Sequence, residues 1–139
     1  MTGVQYLGLA DFLLVAEAVL EVNAEVLAHT VDFALADMAL HAPAAGFGEV
    51  EFYPDFASKA GVLGYRIARN HPLIDGNKRV AYECLREFVA RNGRSWSPPP
   101  GDTPGGDETV AVMVAVAAGE MSEVDFIAWI TARIGEPPA

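Results

Sequence analysis

The chain has a single cysteine, Cys84, among its 139 residues. An internal disulfide and a metal site built from several cysteines are therefore excluded, and we expect a reducing compartment. No lysine or arginine precedes Lys59, so the N-terminus lacks the cationic region of a signal or transit peptide. The longest apolar runs, such as residues 110–119, are shorter than the ~20 residues that span a bilayer. We expect a cytoplasmic protein without a membrane partner.

Positive charge is scarce and unevenly distributed. The formal net charge of −10 argues against nucleic acid as a direct partner, because duplex binding depends on many phosphate contacts. Eight of the nine basic residues nevertheless lie between Lys59 and Arg94, where only three acidic residues accompany them. We expect this segment to form a local positive patch, which suits a small polyphosphate better than a long polyanion.

Length and apolar patterning predict one all-α domain over residues 1–139, with a flexible tail from about residue 135. Helical periodicity predicts helices over residues 9–22, 25–41, 55–70, 77–92, 107–118 and 122–134. The stretch 110–118 is apolar nearly all round, which places it at the centre of the bundle. Residues 50–53 form one short alternating run between turn residues, so we expect an exposed strand or flap there.

The most informative segment is the nine-residue sequence His-Pro-Leu-Ile-Asp-Gly-Asn-Lys-Arg, which starts at His71 and is called the motif below. Pro72 disfavours continuation of the preceding helix. The Asp-Gly-Asn turn that opens the next helix directs unpaired backbone N–H groups at an anion. His71 is a candidate general base and Asp75 a candidate Mg²⁺ ligand. Lys78 and Arg79 oppose the helix dipole in that first turn unless an anion lies there.

Each motif residue also has an ordinary structural explanation. His71 can interact with the free carbonyls at a helix end, and Asp75 can belong to an Asp-Gly turn or cap a helix. Gly76 and Asn77 are common turn residues, and the two cations can simply be solvated. A simple turn needs neither a histidine four residues before the carboxylate nor two cations directly after it. A phosphate site needs all of them within reach of one anion, so the combination favours phosphate chemistry.

The motif resembles the signature of the Fic/Doc superfamily, commonly written His-Pro-Phe-x-[Asp/Glu]-Gly-Asn-[Gly/Lys]-Arg, and residues 33–93 resemble its Doc (death-on-curing) toxin branch. The resemblance implies a compact helical bundle in which the motif forms the loop between two central helices. It implies that His71 is the general base toward a target hydroxyl and that Asp75 holds Mg²⁺ against the phosphates of ATP. It implies that Gly76 and Asn77 shape the anion-binding loop. It also implies that Lys78 and Arg79 contact the phosphates.

Two positions depart from the commonest form of the signature. Leu73 replaces the phenylalanine that usually anchors the loop, and the smaller apolar side chain predicts a modest loosening. Lys78 stands where adenylylating members usually have a second glycine. A lysine there resembles the Doc-like members, which transfer the γ-phosphoryl group of ATP to a protein hydroxyl.

The resemblance therefore implies a Mg²⁺- and ATP-dependent protein kinase that acts as the toxin of a toxin–antitoxin system. Its protein substrate would be a translation elongation factor, and its regulator a cognate antitoxin protein. The chain has no Ser/Thr-x-x-x-Glu-Gly-Asn inhibitory motif of the kind that some Fic proteins carry, so we expect control from outside the chain. Two alternatives stay open: a protein adenylyltransferase, and a catalytically silent protein that binds nucleotide or a partner.

Overall fold

Seven helices and one short hairpin form the part of the chain that the computed structural model describes, residues 3–137. In chain order the elements are α1 (Leu9–Leu20), α2 (Ala24–Ala28), α3 (Phe33–His41), β1 (Gly46–Phe47), β2 (Val50–Glu51), α4 (Phe56–Asn70), α5 (Asn77–Arg91), α6 (Asp107–Ala117) and α7 (Glu123–Thr131). The two strands pair antiparallel, with Gly46 opposite Glu51 and Phe47 opposite Val50. The prediction of an all-α fold with a short exposed hairpin is confirmed.

Side-chain caps start the helices where the sequence predicts them. The Asp55 carboxylate accepts hydrogen bonds from the hydroxyl (2.7 Å) and the backbone N–H (3.1 Å) of Ser58, and these bonds lower the pKa of Asp55. The Ser122 hydroxyl caps α7 in the same way, by accepting from the Asp125 N–H at 3.1 Å. Beyond the C-terminal end of α5, Gly93 adopts the left-handed conformation that often ends a helix, with φ of 72°.

The single helix predicted over residues 25–41 is wrong, because the chain breaks there into α2 and α3. The Thr30 hydroxyl donates to the Leu27 carbonyl at 3.1 Å, and Asp32 starts the new helix by accepting from the Leu35 N–H at 3.1 Å. The Asp32 N–H in turn donates to the Pro72 carbonyl at 2.8 Å. Apolar periodicity hides the break since Val31, at the break itself, is buried. The interruption therefore attaches this corner of the bundle to the motif.

The central helices are α4 and α5. Their inward residues Ala60, Ile67, Ala68, Val80, Ala81, Cys84, Leu85 and Phe88 are fully buried. Burial also raises the pKa of the Cys84 thiol, so this side chain stays neutral and packs as an apolar group. Each large apolar side chain buried in this way contributes roughly 1.5–3 kcal/mol. Within residues 3–137, no helix is both long enough and apolar enough to cross a bilayer.

The predicted central position of residues 110–118 is wrong. In α6, Val112, Met113 and Val116 are buried, but Val110 is 57% exposed and Val114 is 46% exposed. Helix α6 packs on the bundle through one face only, so its uniformly apolar sequence leaves a second apolar face uncovered. That face becomes important at the candidate site.

The C-terminal segment remains attached to the bundle as far as Gly135. Its N–H donates to the Ser95 carbonyl at 3.0 Å, and its carbonyl accepts from the Arg94 guanidinium at 3.2 Å. The flexible tail predicted from about residue 135 is therefore held at its first residue, and its last residues, 138–139, lie outside the described part of the chain.

Close packing of α4 on α7 depends on Gly61. A Cβ atom at this position would lie 2.7 Å from Cγ1 and 3.2 Å from the backbone Cα of Ile127. We predict that Gly61→Ala lowers the free energy of unfolding by about 1–3 kcal/mol, because α7 must move away. This loss should exceed the ~1 kcal/mol that alanine gains in helix propensity. Urea unfolding followed by circular dichroism measures the change.

Gly105→Ala is the matched control, since a Cβ there would make only an ordinary 3.9 Å contact with Asp107. Equal stabilities of the two variants would contradict the packing argument.

Candidate active site

The motif begins as the loop between the two central helices, as the resemblance implies. Helix α4 ends at Asn70, and His71 follows in the left-handed conformation with φ of 51°. The His71 N–H still donates to the Ile67 carbonyl at 3.3 Å, so His71 closes the helix as a C-cap. A side chain other than glycine in this conformation costs roughly 1–2 kcal/mol. The surrounding fold therefore imposes this backbone conformation on His71.

Leu73 and Asn77 hold the loop to the core. The Asn77 side-chain oxygen accepts from the Leu73 N–H, and its amide nitrogen donates to the Leu73 carbonyl, both at 2.9 Å. The Leu73 side chain is 5% exposed, so it occupies the anchoring position expected for this residue of the motif. Asn77 is itself buried, and its amide shapes the loop through these two bonds.

The start of α5 offers backbone N–H groups without a side-chain cap. Gly76 precedes the helix with φ of 83°, and a Cβ there would collide with the Leu20 side chain at the end of α1. Glycine is therefore required for both its conformation and its size. Among residues 3–137, no side chain caps the N-terminus of α5. Its first N–H groups can therefore donate hydrogen bonds to an anion, as the motif predicts.

Four chemically active side chains of the motif are exposed: His71, Asp75, Lys78 and Arg79. One oxygen of Asp75 accepts from the Gly76 N–H at 2.9 Å, which forms the ordinary Asp-Gly turn. The second oxygen makes no hydrogen bond to the described residues. Within residues 3–137, no cluster of three or more His, Cys, Asp or Glu side chains could hold a metal ion. Asp75 thus offers a single carboxylate, which suits Mg²⁺ that also binds phosphate oxygens and water.

The predicted positive patch is narrower in the structure than in the sequence. Four of its eight cations form ion pairs at 2.8–3.1 Å: Lys59 with Glu51, Arg66 with Glu123, Arg86 with Glu83, and Arg91 with Asp11 and Glu87. Several of these carboxylates come from outside the basic segment. Lys78 and Arg79 have no carboxylate within 4.0 Å in the described chain, although Arg79 donates to the Val19 carbonyl at 2.9 Å. Arg69 and Arg94 also lack a carboxylate partner and donate to the Ala117 and Gly135 carbonyls. Lys78 is thus the cation of the segment that has neither kind of partner among the described residues.

A cavity of about 810 Å³ opens beside these two cations. Lys78, Arg79 and Tyr82 line one side, residues 98–106 line another, and α6 contributes Val110, Met113 and Val114. The partly exposed face of α6 thus forms a cavity wall. Sequence reasoning missed this wall. Tyr82 packs against the core and also lines the cavity. The proline- and glycine-rich composition of residues 98–106 and the i, i+4 spacing of Lys78 and Tyr82 were the available signals.

Two hydrogen-bonded groups hold the cavity walls. The Tyr82 hydroxyl accepts from the Trp96 indole N–H at 3.1 Å, which fixes the tyrosine ring. Asp102 accepts from the N–H groups of Thr103 (2.8 Å) and Glu108 (3.0 Å), which joins the loop to the start of α6. These bonds to backbone N–H groups lower the pKa of Asp102. His71 and Asp75 do not line the cavity, so the site combines an exposed loop with an adjoining pocket.

Comparison with known proteins agrees with the motif. A family model described as the Fic/DOC family matches residues 13–89, which include the whole motif. The chain is 42% identical over 62 residues to a protein named "Toxin Doc" from Mycolicibacterium smegmatis (strain ATCC 700084 / mc(2)155). This alignment covers 45% of the chain and 48% of the relative, so the chain spans about half the length of the curated relative that it matches. No solved structure gives a significant match.

The buried amide of Asn77 should support the loop. We predict that Asn77→Ala lowers the free energy of unfolding by roughly 1–3 kcal/mol for each Leu73 backbone group that it leaves buried and unpaired. Hydrogen exchange at the Leu73 amide should accelerate, and urea unfolding reports the loss of stability. Asp75→Asn is the control, because Asp75 is exposed and should change stability by less than about 0.5 kcal/mol. An Asn77→Ala protein as stable as this control would contradict the proposed support.

Proposed function

The chain belongs to the Fic/DOC family, and from this premise we propose that it is the toxin of a toxin–antitoxin pair and acts as a protein kinase. It would transfer the γ-phosphoryl group of ATP to a hydroxyl of a translation elongation factor, and an antitoxin would restrain it. The observation that carries this proposal is Lys78, exposed in the first turn of α5 beside uncapped N–H groups and a nucleotide-sized cavity.

Phosphate binding would use the start of α5. The unpaired N–H groups and the helix dipole attract negative charge, and Lys78 and Arg79 add two cations at the same end. Phosphoryl transfer passes through a transition state whose charge is spread over several oxygens, so fixed donors and cations of this kind stabilise it. Asp75 would hold Mg²⁺, which neutralises phosphate charge when it is bound. The Arg79 guanidinium is held near the end of α1 by its hydrogen bond to the Val19 carbonyl.

The remainder of the nucleotide would occupy the cavity. Its volume of about 810 Å³ is in the range of small-molecule sites, and its walls combine an aromatic ring, apolar side chains and backbone groups. Because Lys78 and Tyr82 lie one helical turn apart, a ligand whose phosphate contacts the lysine can also contact the tyrosine ring. These features support a nucleoside polyphosphate over an isolated phosphate ion.

His71 would act on the protein acceptor. It is exposed at the C-terminal end of α4, and it is the first residue of the motif, whereas the two cations are the last. Its backbone is held by the helix that it closes. As general base it would take the proton of the attacking hydroxyl, a role that contributes typically 10²–10⁴ in rate. The resulting oxygen would then attack the phosphorus atom, and ADP would leave.

The first test measures which phosphate group of ATP is transferred to the protein substrate. We predict that ATP labelled at the γ-phosphate transfers label to a purified translation elongation factor, whereas α-labelled ATP transfers none. His71→Ala should lower the rate by about 10²–10⁴ because the proposed general base is lost. Circular dichroism checks that this variant is folded, and co-expression of the antitoxin should relieve growth arrest.

Transfer from the α position alone would replace the kinase by an adenylyltransferase. Intact ATP binding with no transfer from either position would instead indicate a catalytically silent nucleotide-binding protein.

The second test fills the cavity. Val110 lines the cavity and is 57% exposed, so Val110→Trp should occupy the ligand's place without disturbing the core. We predict at least a tenfold loss of ATP affinity, or about 1.4 kcal/mol, by calorimetry. Val124→Trp on α7 is the control, since Val124 is 76% exposed and does not line the cavity. Equal ATP affinities in both variants would show that the nucleotide binds elsewhere.

A further inference from the structure

Arg133 is the one basic residue of the chain that lies outside the segment from Lys59 to Arg94. It follows the C-terminal end of α7 and is only 9% exposed. Among residues 3–137, its Nε atom is the only buried side-chain nitrogen or oxygen that has no hydrogen-bond partner. Buried polar groups are hydrogen-bonded in the great majority of cases, so this exception requires a physical explanation.

The positive charge of Arg133 has no anionic partner in the part of the chain that the structure describes. No carboxylate there lies within 4.0 Å of its guanidinium, and Glu136, the acidic residue nearest in sequence, is exposed. The partial negative charge at the end of α7 attracts the guanidinium, as does the Trp129 ring, whose centroid is 5.4 Å from Cζ. Neither replaces the hydrogen bonds to water that burial removes, and a buried charge without an acceptor is costly.

The Trp129 ring gives Arg133 a fixed platform. Its indole N–H donates to the Glu108 carboxylate at 3.0 Å. The ring stacks on Phe126 with centroids 6.1 Å apart and meets Trp96 edge-on at 6.2 Å. A guanidinium that lies over an immobilised aromatic ring keeps its planar set of N–H donors in one orientation. The donors of Arg133 are therefore arranged before any ligand binds.

The chain segment beside Arg133 contributes a second donor. Trp96 and Ile134 form an isolated antiparallel bridge, and the Ser97 N–H donates to the Arg133 carbonyl at 2.8 Å. Cross-strand neighbours of this kind carry their side chains on the same face. Ser97 is exposed, and its hydroxyl makes no hydrogen bond to the described residues. The guanidinium and a free hydroxyl thus occupy one face of this bridge.

The donors match a phosphate group. The terminal nitrogens of an arginine make two parallel hydrogen bonds to the oxygens of a carboxylate or a phosphate. A hydroxyl beside the guanidinium adds a donor outside that plane, which a tetrahedral phosphate can use and a planar carboxylate cannot use at the same time. An anion at this place would also supply the charge that the buried guanidinium lacks.

We propose that Arg133, Trp129 and Ser97 form a second anion site, which binds the phosphate group of a small ligand. Ser97 follows the C-terminal end of α5, whereas the motif lies at its start, and this helix of 15 residues is roughly 22 Å long. The site is therefore separate from the motif. The inference does not depend on the proposed kinase activity, because no motif residue takes part.

Titration with inorganic phosphate at constant ionic strength tests the site. Both tryptophans of the chain belong to this region, so we expect a saturable change in tryptophan fluorescence. Arg133→Met keeps an apolar stem without the charge and should raise the Kd at least tenfold. Ser97→Ala should raise it about two- to tenfold, through the loss of one hydrogen bond. Lys78→Met, which weakens any phosphate site at the motif, should leave this titration unchanged.

Arg86→Met is the matched control. Arg86 also lies over an aromatic ring, 5.6 Å from the Tyr82 centroid, but it is paired with Glu83 at 3.1 Å. This variant should bind phosphate as the parent protein does. Equal affinity of the parent protein for acetate would overturn the choice of a phosphate group.

Stability without phosphate separates the site from a purely structural role of Arg133. Arg133→Met should then unfold at the same urea concentration as the parent protein or a higher one, because an unpaired buried charge is removed. Added phosphate should raise the urea midpoint of the parent protein more than that of the variant. A variant that unfolds earlier without phosphate, or a parent protein without a saturable fluorescence change, overturns the inference.

Discussion

The rest of the site depends on the two hydrogen bonds between the Asn77 side chain and the Leu73 backbone. They attach a loop that must be exposed for chemistry to a core that must exclude water. With Leu73 held inside, its neighbours can point outward: His71 and Asp75 face the solvent, and Lys78 and Arg79 face the adjoining cavity. The loop therefore combines rigidity with access, which a catalytic constellation requires.

Ion pairs with carboxylates determine which cations of this protein are available to an anion. The chain carries a net charge of −10, and half of the eight cations of its basic segment form ion pairs with carboxylates. Lys78 and Arg79 lack such partners in the described chain. An acidic protein can bind a phosphate at this place since the local field of two cations and a helix start outweighs distant, screened charges.

Two surfaces of the protein depart from the ordinary hydrophobic pattern. Helix α6 exposes Val110 and Val114 because that face lines the cavity, and the hairpin exposes Phe52 while Tyr53 is tied inward. Elsewhere the apolar residues follow the core, as the buried stripe of α5 shows. Local departures from a consistent pattern are expected at functional sites, where a ligand completes the burial.

Much of this structure could be predicted from the sequence because its determinants are local. Asp55 and Gly93 start and end their helices through contacts within a few residues, and the order of residues in the motif already indicates phosphate chemistry. Other features needed the tertiary structure, since their partners are distant in sequence. The chain breaks before α3 where Asp32 meets Pro72, and Arg79 is held by Val19 from another helix. Periodicity reports that a residue is apolar, but only packing decides whether a neighbour covers it. For this reason the sequence determined most of the helices and the motif, whereas the break before α3, the cavity and the choice of unpaired cations were decided by the fold.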